Sequence, residues 1–333
     1  MTIPAPAATT ADEAPVVKAP ETVGRSPGQL MWLRFRRDRT GVASAIVVIF
    51  FILVAILAPV ISWLYGKDPY TLYGQDTPGL LNDFGYPIAP NGGISSQFWF
   101  GIEPNLGRDV FTQLVYGIRT SLLIALVTTI LTTLIGIVIG IVAGYAGGKT
   151  DYFIGRVIDT VLSFPSVLFI IAFMPVVENL FVSADEETPV WLRAVTLVLV
   201  LTLFGWAGLA RLLRGQVLTL REREFIEAAR VTGASPARIV FKELLPNLWT
   251  PILIQATLLL PALVTAEAAL SFLGVGMIEP IPDWGRMFRR GTEVYTNDIT
   301  YLIFPGVALV IFVIAFNLLG DSVRDAFDPK LKR

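Results

Sequence analysis

Residues 214–247 read RGQVLTLREREFIEAARVTGASPARIVFKELLPN, a polar stretch set between two long apolar ones. It is neither low in complexity nor rich in glycine. The run 220–231, LREREFIEAARV, predicts a helix, because strong helix formers carry an apolar stripe at Leu220, Phe225, Ala228 and Ala229. Gly233 ends that helix. Ser235 is a good N-cap and Pro236 suits a first helical position, so a second helix is predicted to about Leu245, where Pro246 follows. A plain connector needs no such construction. Two short amphipathic helices, with small Ala228 and Ala229 on the surface of the first, fit either docking into a groove of another protein or lying on the bundle that they stabilise.

The flanks decide the class. Segments 41–66, 120–148, 160–177, 194–210, 244–266 and 299–320 contain no Asp, Glu, Lys or Arg. A helix of roughly 20 such residues crosses about 30 Å of hydrocarbon. The 333-residue chain is 54% hydrophobic and 16% charged, against about 25% charged in ordinary globular domains. Packing six long apolar runs as soluble core helices would leave too little polar surface. The expected fold is therefore an all-α membrane protein with six spans, at about 42–64, 119–143, 157–177, 191–213, 248–272 and 300–320. With the N-terminus inside, 19 of the 26 Lys and Arg are cytoplasmic, as the excess of cytoplasmic positive charge requires. Both termini and 214–247 are then inside, and 65–110, 178–190 and 274–298 outside.

Composition excludes some chemistry. The chain has no Cys and no His, which removes disulfides, thiolates and the commonest general base and metal ligand. No G-x-x-x-x-G-K-[ST] run exists for binding nucleotide phosphates, and the net charge of −1 gives no reason to expect nucleic acid as a partner. Residues 1–28, rich in Ala, Pro and Thr, read as a disordered cytoplasmic tail and not as a cleavable signal. The segment 29–40 begins QLMWLRFRRDR. Its Leu30, Met31, Trp32 and Leu33 either lie on the membrane surface while the arginines face anionic headgroups, or simply form a basic flank to the first span.

Other features belong to the spans themselves. Gly136, Gly140 and Gly144 repeat every four residues and offer a face for close helix approach, in this chain or a second one. Pro165 should kink the third span. Phe98, Trp99 and Phe100 are either an interfacial anchor or a small core within the outer loop. Glu267, near the outer end of the fifth span, is costly at membrane depth unless paired or wet. It either lines a solute path or pins the end of the span in a hydrogen-bond network.

Glu227-Ala228-Ala229, Gly233, Ile239 and Leu245-Pro246 resemble the EAA loop of bacterial ABC-importer permeases, in spacing and in position before the penultimate span. Further stretches are similar to the oligopeptide and dipeptide permeases: Leu106-Gly107-Arg108-Asp109, Gly144-Tyr145-Ala146-Gly147-Gly148, Ser163-Phe164-Pro165, Arg221 to Phe225, Ser271-Phe272-Leu273-Gly274, Pro282-Asp283-Trp284-Gly285 and Asn317 to Asp321. The tryptophan-containing basic segment before the first span resembles the C-type subunit. The resemblance covers about 30–333, and the outer loops 65–100 and 178–190 depart from it.

That resemblance implies a type I importer permease in the cell inner membrane, forming half of a translocation path with a sister permease. It implies one or two cytoplasmic ABC ATPases that hydrolyse ATP, an extracytoplasmic peptide-binding protein, and no cofactor bound by this chain. Glu224, Glu227, Ala228, Ala229, Gly233, Ile239, Leu245 and Pro246 are the expected ATPase-coupling residues. For Glu267 it favours a structural role. The expected cargo is dipeptides or oligopeptides, with nickel, glutathione or another small solute as the alternative on the same scaffold.

Overall fold

The structure, a computed structural model, describes residues 27–183 and 185–327. Of the expected tail 1–28, residues 1–26 lie outside the described part, and Pro27 already opens a helix. The elements are α1 (Pro27–Arg37), α2 (Arg39–Tyr65), short α3 (Tyr73–Asp76) and α4 (Pro90–Gly93), α5 (Val110–Ala146), α6 (Gly148–Ser163), α7 (Ser166–Asn179), α8 (Val190–Leu220) and α9 (Glu224–Val231). They continue with α10 (Pro236–Arg238), a π-helical turn (Ile239–Leu244), α11 (Leu245–Phe272), α12 (Trp284–Val294) and α13 (Thr300–Phe327).

Five helical stretches among the described residues are long and apolar enough to cross a membrane: Arg39–Tyr65, Val110–Ala146, Val190–Leu220, Pro236–Phe272 and Thr300–Phe327. The expected third span, 157–177, is not one straight or gently kinked helix. It is α6 and α7, bent by 88°. Pro165 pushes Phe164 into an extended conformation (φ −77°, ψ 135°), as the residue before a proline prefers. Counting this bent pair as one span brings the total to six.

Three expected boundaries fall well short of the observed ones. The second span is expected from 119, but α5 starts at Val110, because Asp109 caps it by accepting from Thr112 N at 2.7 Å. The fourth is expected to end at 213 and the sixth at 320, but α8 runs on to Leu220 and α13 to Phe327. A charged residue closes an apolar window without ending a helix; only caps and turns do that.

The long helices pack around α5. Its glycine face meets α8 of the same chain. A Cβ placed on Gly140 would stand 2.8 Å from the Ala210 carbonyl oxygen and 2.9 Å from Leu213 Cβ, and one on Gly144 would stand 2.7 Å from Val217 Cβ. Ion pairs tie the bent pair to α8: Asp151 to Arg214, Asp159 to Arg211 at 2.5 Å, and Glu178 to Arg193 at 2.9 Å.

The segment 65–110 folds onto one end of the bundle. Phe98 is buried and packs on Tyr73 within the segment, while Phe100 stacks on Phe304 of α13 with centroids 4.1 Å apart. Trp99 is half exposed and packs on Tyr65.

Candidate functional site

The stretch between α8 and α11 forms a short shelf. Helix α8 ends at Leu220, and Arg221-Glu222-Arg223 turn the chain before α9 starts at Glu224. The single helix read over 220–231 is thus corrected to 224–231. Arg223 takes the extended conformation of an N-cap (φ −82°, ψ 146°). Glu224 and Glu227 lie in the first turn and Arg230 in the last, each at the end of the helix dipole that favours its charge.

Gly233 does what its position predicts. Its φ is +81°, a left-handed conformation that costs residues bearing a Cβ roughly 1–2 kcal/mol. Gly233 N donates to Arg230 O at 3.0 Å, and Ala234 N donates to Ala229 O at 2.9 Å. This is the Schellman pattern of a helix C-terminus. Ser235 Oγ then accepts from Arg238 N at 3.3 Å, and Pro236 occupies the first helical position.

The second helix does not stop at Pro246. It passes through the π turn and continues as α11. A proline lacks one N–H and crowds the preceding turn. The wider π turn immediately before Pro246 accommodates both effects, so the helix bends its hydrogen-bond register without breaking.

One side chain anchors α9. Ile226 is 0% exposed and packs with Ile239, Leu244, Leu248, Val217, Leu213 and Ile141. Ile226 was not among the residues singled out from sequence. Its signal was the pairing of two isoleucines across the Gly233 turn, hidden because the stripe was drawn from a helix start four residues too early. The opposite side faces solvent: Glu224, Phe225, Glu227, Ala228 and Arg230 are exposed, and Val231 is 83% exposed. Ala229 is half buried. Arg221 donates to Gly144 O at 3.1 Å, and the Arg230 guanidinium lies 6.0 Å from the Tyr145 ring centroid, linking the shelf to the end of α5.

The expected coupling residues therefore divide. Glu224, Glu227 and Ala228 share the exposed side of α9, with Gly233 exposed at its turn. Ile239 is buried beneath, Leu245 is half buried, and Pro246 is exposed on the first turn of α11.

Glu267 is fully buried where α5, α11 and α12 meet. Ser271 Oγ donates to its Oε1 at 3.4 Å. Nearby, Asp283 caps α12 by accepting from Arg286 N at 2.9 Å, and Trp284 N donates to Ser121 Oγ at 3.3 Å. Burial first, opposed by the Arg286 hydrogen bond and charge, pushes the Asp283 carboxyl up to about 6.

Beside this junction lies a charged cluster that carries no signal in the sequence, since its members are spread over 103–286. Arg108 pairs with buried Glu103 at 2.5 Å and with Glu279 at 2.7 Å, and Arg286 reaches Glu279 at 3.0 Å. Burial works to raise the Glu279 carboxyl, but the Arg108 hydrogen bond and the charges of Arg286, Arg108 and Arg290 outweigh it and hold it below the usual range. Glu103, Glu279, Arg286 and Arg290 border a cavity of about 490 Å³.

Comparison with known proteins covers nearly the whole chain. Residues 136–333 match the family model described as binding-protein-dependent transport system inner membrane component, and 26–82 match the N-terminal TM domain of oligopeptide transport permease C. The oligopeptide transport system permease protein OppC of Bacillus subtilis (strain 168) is 34% identical over 90% of this chain and 89% of its own length. The dipeptide transport system permease protein DppC of the same strain is 34% identical over 96% and 90%. The glutathione transport system permease protein GsiD of Salmonella paratyphi A is 36% identical over 96% and 95%. Among solved structures, an inward-facing conformation of the MetNI methionine ABC transporter aligns with TM-score 0.52 and 23% identity, covering 66% of this chain and 97% of that one. That likeness is one of fold.

Proposed function

We propose a function from one premise: the chain belongs to the family of binding-protein-dependent transport system inner membrane components, as a permease of the oligopeptide/dipeptide ABC-importer group. It is a multi-pass membrane protein and a permease component of a peptide or solute importer.

Within that family we infer a more specific role. The chain crosses the membrane six times, with α6 and α7 together as the third crossing and both termini in the cytoplasm. It forms half of the translocation path beside a sister permease. Its shelf α9 receives motion from a cytoplasmic ATPase, and an extracytoplasmic binding protein delivers the cargo.

One observation carries the coupling role. Helix α9 hangs on a single buried anchor, Ile226, which packs against residues of both α8 and α11. Its other side exposes Ala228 between Glu224, Glu227 and Val231. A partner can approach the backbone there, make charge-assisted bonds to the carboxylates, and tilt two spans through one rigid element. Ala228→Arg tests this. The substitution falls on the exposed side, so the spans should insert normally while ATPase copurification and ATP-dependent uptake are lost. Wild-type copurification and uptake would reduce α9 to surface structure. Ala229 is half buried, so a charge there would test packing instead.

The cargo we infer is a short peptide. Glutathione, itself a modified tripeptide, is the second reading, supported by a relative named for glutathione transport at 36% identity. Nickel or another small solute on the same scaffold is the third reading. Growth of a deletion strain on defined dipeptides, longer peptides or glutathione as sole sulfur source separates the readings.

A further inference from the structure

Four of the six residues Arg34–Arg39 are arginines. Helix α1 ends at Arg37 and α2 begins at Arg39, with Asp38 between them, extended and accepting from Thr40 N at 3.0 Å. The guanidiniums therefore gather at a sharp corner at the very start of the first span. The last turns of α13 close the corner from the side. A Cβ on Gly41 would stand 2.7 Å from Ser322 Cβ, so the α2 backbone lies directly against the Ser322 side chain of α13 there.

Between the three helices lies a cavity of about 400 Å³, lined by Arg34, Arg37, Arg39, Asp38, Ser322 and Asp325 among others. Three guanidiniums against two carboxylates leave it net positive. The surroundings are apolar. On α1, Leu30, Trp32 and Leu33 are exposed, and on α2 the exposed residues Ile46, Ile49 and Phe50 follow within three turns.

We propose that this corner binds the headgroup of an anionic glycerophospholipid of the phosphatidylglycerol type. A cationic cavity opening onto an apolar skirt matches one molecule that is anionic at its head and hydrocarbon below it. Arg37 and Arg39 take the phosphodiester, since a planar guanidinium fork fits phosphate oxygens. Asp325 accepts from headgroup hydroxyls, which choline lacks. Trp32 and the leucines lie among the upper acyl carbons, where amphipathic surface helices bury their apolar side. A cytoplasmic protein would use the charges but leave the α2 skirt without a role.

The test uses the full-length chain, purified in detergent, stripped of lipid and offered equal amounts of dioleoyl phosphatidylglycerol, phosphatidylethanolamine and phosphatidylcholine. Native mass spectrometry reads the adducts. Phosphatidylglycerol should be retained over the other two. Arg37→Gln with Arg39→Gln should weaken that retention roughly 25-fold, at about fivefold per basic residue near a lipid surface. Lys149→Gln, which removes a cation elsewhere, should leave it unchanged. Arg37→Lys with Arg39→Lys keeps the charge but loses the fork, and should bind more weakly than the native arginines and at least as well as the glutamine pair. Equal retention of all three lipids would overturn the proposal. Displacement of the lipid by millimolar inorganic phosphate would reassign the corner to a free anion. Loss of ATPase copurification in the glutamine pair, with lipid retention intact, would reassign it to a protein.

Discussion

Gly233 is the residue on which the shelf turns. Nothing lies within 4 Å of a Cβ built there, so substitution acts through backbone conformation and not through a clash. Asn tolerates the left-handed region better than Ala, and β-branched Val least. Uptake and ATPase copurification should fall in the order Gly233→Asn, Gly233→Ala, Gly233→Val, with Val costing about 2 kcal/mol or more in local stability. A purely steric role would spare Ala and penalise Asn. This glycine was legible from sequence because a helix stop followed by Ser-Pro leaves little choice. Ile226 was not, because its burial depends on α8 and α11 meeting beneath it.

The buried acids at the opposite junction behave differently. Burial holds the Asp283 carboxyl above the usual carboxylate range in the folded protein. Through the window between its unfolded and folded values the folded state keeps a proton that the unfolded chain has released, so this group's contribution to stability falls as pH rises above about 4. Asp283→Asn keeps an oxygen to accept from Arg286 N and should flatten that slope in thermal melts across the same range. An unchanged slope would remove Asp283 as its source. Glu267→Gln retains the acceptor for Ser271 and should transport at wild-type rates if the residue only pins the junction. Loss of uptake at normal protein levels would put Glu267 on the solute path.

At the scale of helices, the α5–α8 seam sets the architecture. Leu in place of Gly140 would collide with the Ala210 carbonyl and Leu213, an overpacking that costs about 1–3 kcal/mol or more. Both helices belong to one chain, so Gly140→Leu should reduce the yield of this subunit expressed alone. If only the assembled complex suffered, the glycines would be facing a second subunit. The glycine spacing predicted a close crossing but left its partner open, since Leu209, Ala210 and Leu213 in α8 carry no reciprocal mark in sequence. The broken third span shows the opposite case. Pro165 is visible in the sequence, but the size of the bend, 88°, is not, nor are the pairings of Asp151, Asp159 and Glu178 with Arg214, Arg211 and Arg193 that tie both arms to α8. Those pairings join α6 and α7 to one neighbour across more than 50 residues of sequence, for Asp159 and Asp151. The continuity of α11 through Pro246 was also hidden, because a π turn has no composition of its own.

At the scale of the molecule, apolar runs and basic flanks made a multi-spanning membrane protein legible, and the spaced residues from Glu227 to Pro246 made its family legible. The charged cluster was not, because Glu103, Arg108, Glu279 and Arg286 converge only once α5, α11 and α12 are packed. The proposed coupling puts α9 in the cytoplasm, against an ATPase. The chain has no cysteine, so one thiol at Ala228→Cys is an unambiguous probe. In membranes of cells expressing the complete importer, that thiol should cross-link to an ATPase subunit, with a yield that changes on adding ATP, and it should resist impermeant maleimide until the cells are opened. Labelling in intact cells, with no cross-link to an ATPase, would contradict the account.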